Sequence, residues 1–206
     1  MNQRPLVIGA GGCGGNILEK VCGLAGVSAR LVHVNRQGAP ARKVSFDEAI
    51  LADSMDESSL MKTVNMDGDP VILVAGLGGA TGTAAVLAMA KVAEKMGKQT
   101  YAVLARPFEF EGPERHRKAE ETIRALEFVC RHVIVLDNRV IRQLYGDNDA
   151  PASQLLDKIN GYAASVIGAI VQKGLPEEIS EAVEMLSETL GGQITVGHYG
   201  HAIDIP

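Results

Sequence analysis

Two short glycine runs carry the chemistry in this chain. The first is Gly9-Ala10-Gly11-Gly12-Cys13-Gly14-Gly15-Asn16. It stands between an apolar run and a helical pattern. Glycine lets the backbone adopt positive φ and lets an anion approach the amides with no Cβ in the way. A helix start adds unpaired N–H groups and the positive end of the helix dipole. Phosphate binding is the chemistry this spacing serves; the plainer alternative is a tight strand-to-helix turn. The second run is Gly76-Leu77-Gly78-Gly79-Ala80-Thr81-Gly82-Thr83, with two threonine hydroxyls able to donate to phosphate. A Walker loop would need Gly-Lys-Ser/Thr, and no lysine stands here. Read as G-x-G-x-x-G, Gly9, Gly11 and Gly14 fit a dinucleotide fingerprint. That fingerprint expects an acidic residue at the end of the second strand, where this chain has Val34-Asn35-Arg36. A Rossmann-type NAD-binding protein is therefore the rival reading.

The elements around these runs alternate strand and helix. Leu6-Val7-Ile8-Gly9, Leu31-Val32-His33-Val34, Val71-Ile72-Leu73-Val74-Ala75, Thr100-Tyr101-Ala102-Val103-Leu104 and Val133-Ile134-Val135-Leu136 are short apolar runs suited to buried parallel strands. Helical patterns cover residues 16–24, 84–96 (closed by Gly97), 113–131, 153–172 and 177–189. A last short strand is expected at 193–196. The polar stretch 36–69 carries two weak helical patches, at 46–51 and 57–64. The pattern predicts an α/β fold: an open, mostly parallel, doubly wound, Rossmann-like sheet with right-handed crossovers. Both glycine runs then lie at the carboxyl ends of strands and face one crevice. Together they suit a nucleotide triphosphate held mainly by backbone amides.

The chain has 206 residues, 46% of them hydrophobic and 22% charged, which suits one large domain and excludes disorder and coiled coil. A net charge of −5 and 4% aromatics with no Trp argue against a nucleic-acid surface. Cys13, Cys22 and Cys130 form no disulfide framework or zinc pattern. A reducing cytoplasm is the expected setting, and no metal ligand set is expected. No membrane span is expected, because no window holds 18 or so uninterrupted apolar residues.

Four motifs, in order, resemble the tubulin/FtsZ superfamily. Gly11-Gly12-Cys13-Gly14-Gly15-Asn16 is followed by Gly78-Gly79-Ala80-Thr81-Gly82-Thr83, which is similar to the family's G-G-G-T-G-T/S-G signature. Arg106-Pro107-Phe108-Glu109-Phe110-Glu111-Gly112-Pro113-Glu114-Arg115 resembles the bacterial R-P-F-x-F-E-G-x-x-R loop, and Leu136-Asp137-Asn138-Arg139 resembles P-N-D-R. The resemblance implies a GTPase-domain fold that binds GTP or GDP, with or without Mg2+. It implies that Gly12 through Asn16 wrap the phosphates, and that Gly79, Ala80, Thr81, Gly82 and Thr83 hold the β- and γ-phosphates. Glu111 matches a glutamate near the ribose and Arg115 the arginine after it; the plainer alternative is an i,i+4 ion pair at a helix start. Asn138 matches an asparagine that reads the guanine edge; a helix N-cap is its alternative. Cys13 reads as a small side chain beneath the phosphates.

Departures from the family pattern qualify these expectations. Residues 36–69 are short and lack the family's γ-phosphate-sensing loop; Asn35 is kept from N-T-D, while Arg36 and Gln37 replace the rest. Aligning Leu155-Leu156-Asp157 with the family's L-L-D puts Ile159 and Ala163 at the two base-contacting positions. Alanine cannot hydrogen-bond a base, so guanine preference should be weakened. Glu178 and Glu181 keep the spacing of the two catalytic acids that the family inserts into a neighbouring subunit's site, but Pro176 replaces the asparagine. First-turn acids favoured by the helix dipole are the alternative. Residues 151–173 are expected as the central helix, and 174–206 as the remnant of a linker to a second domain missing here. The expectation is a GTP-binding protein with weak, or assembly- or partner-dependent, hydrolysis. Its partner would be another copy or another FtsZ-like protein.

Overall fold

A computed structural model describes residues 4–39, 46–52, 57–65, 67–137, 151–189, 197–199 and 202–205. Strands β1 (Leu6–Ala10), β2 (Arg30–Arg36), β3 (Glu48–Ala52), β4 (Val71–Gly76), β5 (Thr100–Ala105), β6 (His132–Leu136), β7 (Gly197–Tyr199) and β8 (Ala202–Ile205) form one sheet. Their order is β3-β2-β1-β4-β5-β6-β8-β7. All neighbours are parallel except β7, which is antiparallel to β8. This is the open, doubly wound α/β sheet that the alternating pattern predicts.

The strands are apolar throughout because both faces are covered. Period-2 geometry splits each run. Leu6, Ile8, Leu73 and Ala75 pack on one face with α2 (Glu57–Val64), α3 (Ala80–Lys95) and α4 (Pro113–Leu126). Val7, Ile72 and Val74 pack on the other with α1 (Gly11–Cys22), α5 (Ala152–Lys173) and α6 (Ile179–Thr189). Strand order reverses between β1 and β4, so the carboxyl ends of these two adjacent strands open the crevice of the fold.

Several boundaries differ from the sequence expectation. The patch at 46–51 is not helical: Glu48–Ala52 is strand β3, parallel to β2 with Val32 opposite Glu48. Its Glu, Ala and Leu favour helix, but five residues are too few to sustain one, and pairing with the open edge of β2 overrides that preference. The second patch does form α2. Helix α4 stops at Leu126 rather than 131, where Cys130 N–H bonds the Leu126 carbonyl at 2.8 Å and Arg131 N–H bonds Thr100 at 2.8 Å to start β6 beside β5. Helices α1 and α3 begin earlier than expected, at Gly11 and Ala80, so glycine-run residues form their first turns. The strand expected at 193–196 lies outside the described residues. Hairpin β7–β8 was not expected, and within 174–206 Leu175, Ala182, Leu186, Ile203 and Ile205 are part of the core. Among the described residues no helix is long and apolar enough to cross a membrane.

Candidate functional site

The first glycine run ends β1 and opens α1; the second ends β4 and opens α3. The two loops touch. A Cβ on Gly11, whose φ is +69°, would stand 3.1 Å from the Gly82 nitrogen. Other glycines are wedges between backbones. A Cβ at Gly14 would meet the Val74 carbonyl oxygen at 2.7 Å, and one at Gly82 the Gly76 and Ala10 oxygens at 2.8 and 3.3 Å. Gly78 (φ +81°) is pressed against the Arg115 backbone, so the second loop also abuts α4. Gly12 and Gly79 are different: an added Cβ at either meets nothing within 4 Å. They face a cleft of about 310 Å³.

Gly11, Gly12, Cys13, Gly79, Ala80, Thr81, Gly82, Glu111 and Arg115 line that cleft, with Leu77, Arg106, Phe108 and Leu156 among its other walls. Two helix N-termini, those of α1 and α3, open into it, supplying N–H groups and dipole ends for an anion. Glu111 is held twice. Its Oε1 accepts from Phe108 N–H at 2.8 Å, and its Oε2 pairs with Arg115 one helical turn on. The ion pair expected as the plainer alternative is therefore present, and it stands at the cleft wall. Arg106 is nearly enclosed. It donates to Glu120 Oε1 at 2.8 Å and to Asp204 Oδ1 at 2.7 Å, with Asp137 3.6 Å away. Burial disfavours its charge, but the Glu120 and Asp204 contacts outweigh that and hold the guanidinium above its ordinary pKa.

Other expected site residues lie apart from the cleft lining. Gly14 and Gly15 are buried in the first turns of α1, and Asn16 is exposed beyond them. Asn35, at the end of β2, uses its Oδ1 to accept the Arg36 N–H at 2.9 Å. Gly78 lies in the second loop against Arg115, and Thr83 in the first turn of α3, its Oγ1 buried with no hydrogen-bond partner among the described residues. Asn138 lies outside the described residues. Ile159 and Ala163 are 1% and 0% exposed. Ile159 packs with Ala105, Phe108 and Leu155, and Ala163 lies in the core under the sheet. Leu156, 40% exposed, is the α5 residue that reaches the cleft. Residues 156, 159 and 163 share one stripe of α5, and at 1.5 Å per residue that stripe descends about 10 Å from cleft to core.

Glu178 and Glu181 are exposed at the opposite end of the sheet, and within one chain they do not meet the cleft. Their loop is anchored to β6. His132 Nε2 donates to the Pro176 carbonyl at 2.8 Å, its ring stacks on Tyr101 at 6.0 Å, and Arg131 pairs with Glu177 at 2.5 Å. A hollow of about 760 Å³ lies beside this loop, walled by Pro5, Pro70, Tyr101, Lys173 and Glu177 among others.

Sequence reasoning missed Arg106, Phe108, Leu77 and Leu156 as cleft residues. All four stand inside stretches already quoted: Arg106 and Phe108 in the R-P-F-x-F-E-G loop, Leu77 in the second glycine run, and Leu156 one helical turn above Ile159.

An open α/β sheet with two glycine loops meeting at its switch point is the architecture on which phosphate and nucleotide sites are built. Comparison with known proteins narrows it. Residues 45–146 match the family model for the tubulin/FtsZ family, GTPase domain. The cell division protein FtsZ of Aquifex aeolicus is 34% identical over 67% of this chain and 43% of its own length. That of Buchnera aphidicola is 28% identical over 96% of this chain and 54% of its own. Among solved structures, an empty FtsZ dimer from M. jannaschii superposes with a TM-score of 0.74 at 21% identity, over 84% of this chain and 55% of the other. A GTPγS-bound protofilament of CetZ2 from Haloferax volcanii gives 0.67 at 20% identity, over 87% and 60%. The chain belongs to the tubulin/FtsZ family. It spans about half the length of the curated relatives it matches.

Proposed function

We propose that this protein binds GTP and GDP in the cleft between the two glycine loops, and hydrolyses GTP only weakly unless it assembles or meets a partner. One observation carries the reading: Gly11 and Gly82 bring two helix N-termini against one cleft, while Gly12 and Gly79 leave open space where side chains would otherwise project. The cleft volume of about 310 Å³ is at the lower end for a small-ligand site. The fit to a nucleotide is good at the phosphate end, where amides and dipoles supply the charge complement. It is thinner at the base end, where Leu156 offers an apolar wall and Ile159 and Ala163 are withdrawn. A bound triphosphate, with Mg2+ where needed, supplies the leaving group and the anionic oxygens that the loops recognise. Glu111 and Arg115, locked to each other, flank the ribose side. Glu178 and Glu181 would serve a second copy's cleft, orienting water there, because their own cleft is at the far end of α5. From Leu156 to Lys173 that helix alone spans roughly 25 Å.

The test is equilibrium binding of labelled GTP, GDP, ATP and NAD to the purified protein. Micromolar or tighter GTP and GDP with weaker ATP supports the reading. Preference for NAD over GTP overturns it.

A further inference from the structure

We propose that His33 is a positioning residue for the phosphate loop, holding the Gly11–Gly12 peptide so that its N–H, and not its carbonyl, is presented to the anion. This rests on the nucleotide-binding reading above and adds a residue to it that neither glycine run contains.

His33 lies on β2, opposite Gly9 of β1, and is 4% exposed. Its Nε2 stands 3.0 Å from the Gly11 carbonyl oxygen. A carbonyl can only accept, so Nε2 carries the proton and donates. The ring is held in turn by Phe46, edge to face at 5.6 Å. In a trans peptide the carbonyl of one residue and the N–H of the next point in opposite directions. The strand order puts β2 on one side of β1 and β4 on the other. His33 draws the Gly11 oxygen toward the β2 side, so the Gly12 N–H is directed away from it, toward the cleft that Gly12 lines.

Gly11 opens α1, so the helix already draws this carbonyl along its axis, and His33 adds a second, lateral hold to a peptide flanked by two glycines. A peptide flip rotates ψ of the first residue and φ of the second in opposite senses, and side chains resist those rotations on either side of an ordinary peptide. Between two glycines that resistance is missing. A flip would aim a carbonyl oxygen at the bound phosphate and replace an attraction with a repulsion. The glycines that make room for the anion leave this peptide's direction to backbone hydrogen bonding, and the His33 donor adds to it.

The experiment compares GDP and inorganic triphosphate binding in wild type, His33→Phe and His33→Gln. Phenylalanine keeps a ring against Phe46 but loses the donor; glutamine has an amide nitrogen that can donate from about the same place. Losing one such bond weakens both ligands by about tenfold in His33→Phe, with recovery to within about threefold in His33→Gln. Equal binding by folded wild type and His33→Phe overturns the proposal. So does equal weakening in both variants, since a space-filling role would not follow the donor. Should His33→Phe not fold, imidazole 15N spectra of wild type decide. A protonated Nε2 whose resonance shifts on triphosphate addition supports the assignment, and an unprotonated or unresponsive Nε2 refutes it. Wild type that binds neither ligand overturns the underlying nucleotide reading, and this inference with it.

Discussion

The two ends of the sheet are built on opposite principles. The carboxyl end, around β1 and β4, is made mostly of backbone: glycines, two helix N-termini and a cleft whose key positions carry no side chain. The amino end, around the start of β6 and the loop before α6, is made of side chains: a buried histidine, an arginine–glutamate pair and exposed acids. The first arrangement offers an anion amides and open space within one chain. The second presents the Glu178 and Glu181 carboxylates outward. On the function proposed above, binding and any catalytic help are separable, one assigned to this chain and the other to a second molecule.

The sharpest way to break this contrast is within the backbone end. Gly82 is a wedge and Gly79 a window. Gly82→Val drives a side chain into the Gly76 and Ala10 carbonyls, so the expected effect is destabilisation of about 3 kcal/mol, seen as an earlier denaturant midpoint even without ligand. Gly79→Val has room for its Cβ and an extended backbone that valine accepts. It should fold normally yet bind GTP about 100-fold more weakly, a loss of ~2.7 kcal/mol. Normal GTP affinity in folded Gly79→Val would remove the phosphates from this cleft.

At the other end, the double change Glu178→Ala/Glu181→Ala should leave GTP affinity unchanged. Where wild-type phosphate release per molecule rises with protein concentration, the double variant should lose up to about 100-fold of it. Brisk turnover that ignores both concentration and the substitutions would place a catalytic group in the same chain as the cleft. A smaller effect is expected at Asn138: replacement by Ala should cost GTP, but not ATP, roughly 1–3 kcal/mol. Strong guanine selectivity surviving that change would mean other groups read the base.

An effect confined to alkaline pH, and absent near neutrality, belongs to Cys130, just before β6. Burial, aided by Glu94, pushes its thiol up to about 12, against ~8.5 for an unfolded cysteine. The folded state therefore keeps the proton where the unfolded state releases it. That contribution is complete below about pH 8.5 and is lost as pH rises toward 12, at up to ~1.4 kcal/mol per pH unit. Denaturation midpoints should fall across that window less steeply in Cys130→Ala. In the native protein Cys22, which is exposed, should react with thiol reagents well before Cys130.

Much of the fold was legible in the chain itself. Continuous apolar runs such as Val71-Ile72-Leu73-Val74-Ala75 announce strands buried on both faces, and Gly97, at φ +67°, closes α3 as expected. The 48–52 strand was not legible, because five residues with helix-favouring members become a strand only when a neighbouring edge accepts their hydrogen bonds. Hairpin β7–β8 escaped for another reason: its strands of three and four residues are too short to show a period.

The site divides along the same line. Sequence by itself determined where glycine allows an anion to approach, which two loops could supply amides, and the kinship that Arg106 to Arg115 expresses, because these depend on residue type and local order. Tertiary structure alone decided which glycines are wedges and which are windows, since that depends on what stands opposite each missing Cβ. It also withdrew Ile159 and Ala163 from the cleft in favour of Leu156, through the depth at which α5 crosses the sheet. And it brought His33, from a different strand, to the Gly11 carbonyl: a hydrogen bond between residues 22 apart is set by strand pairing, which no local pattern encodes.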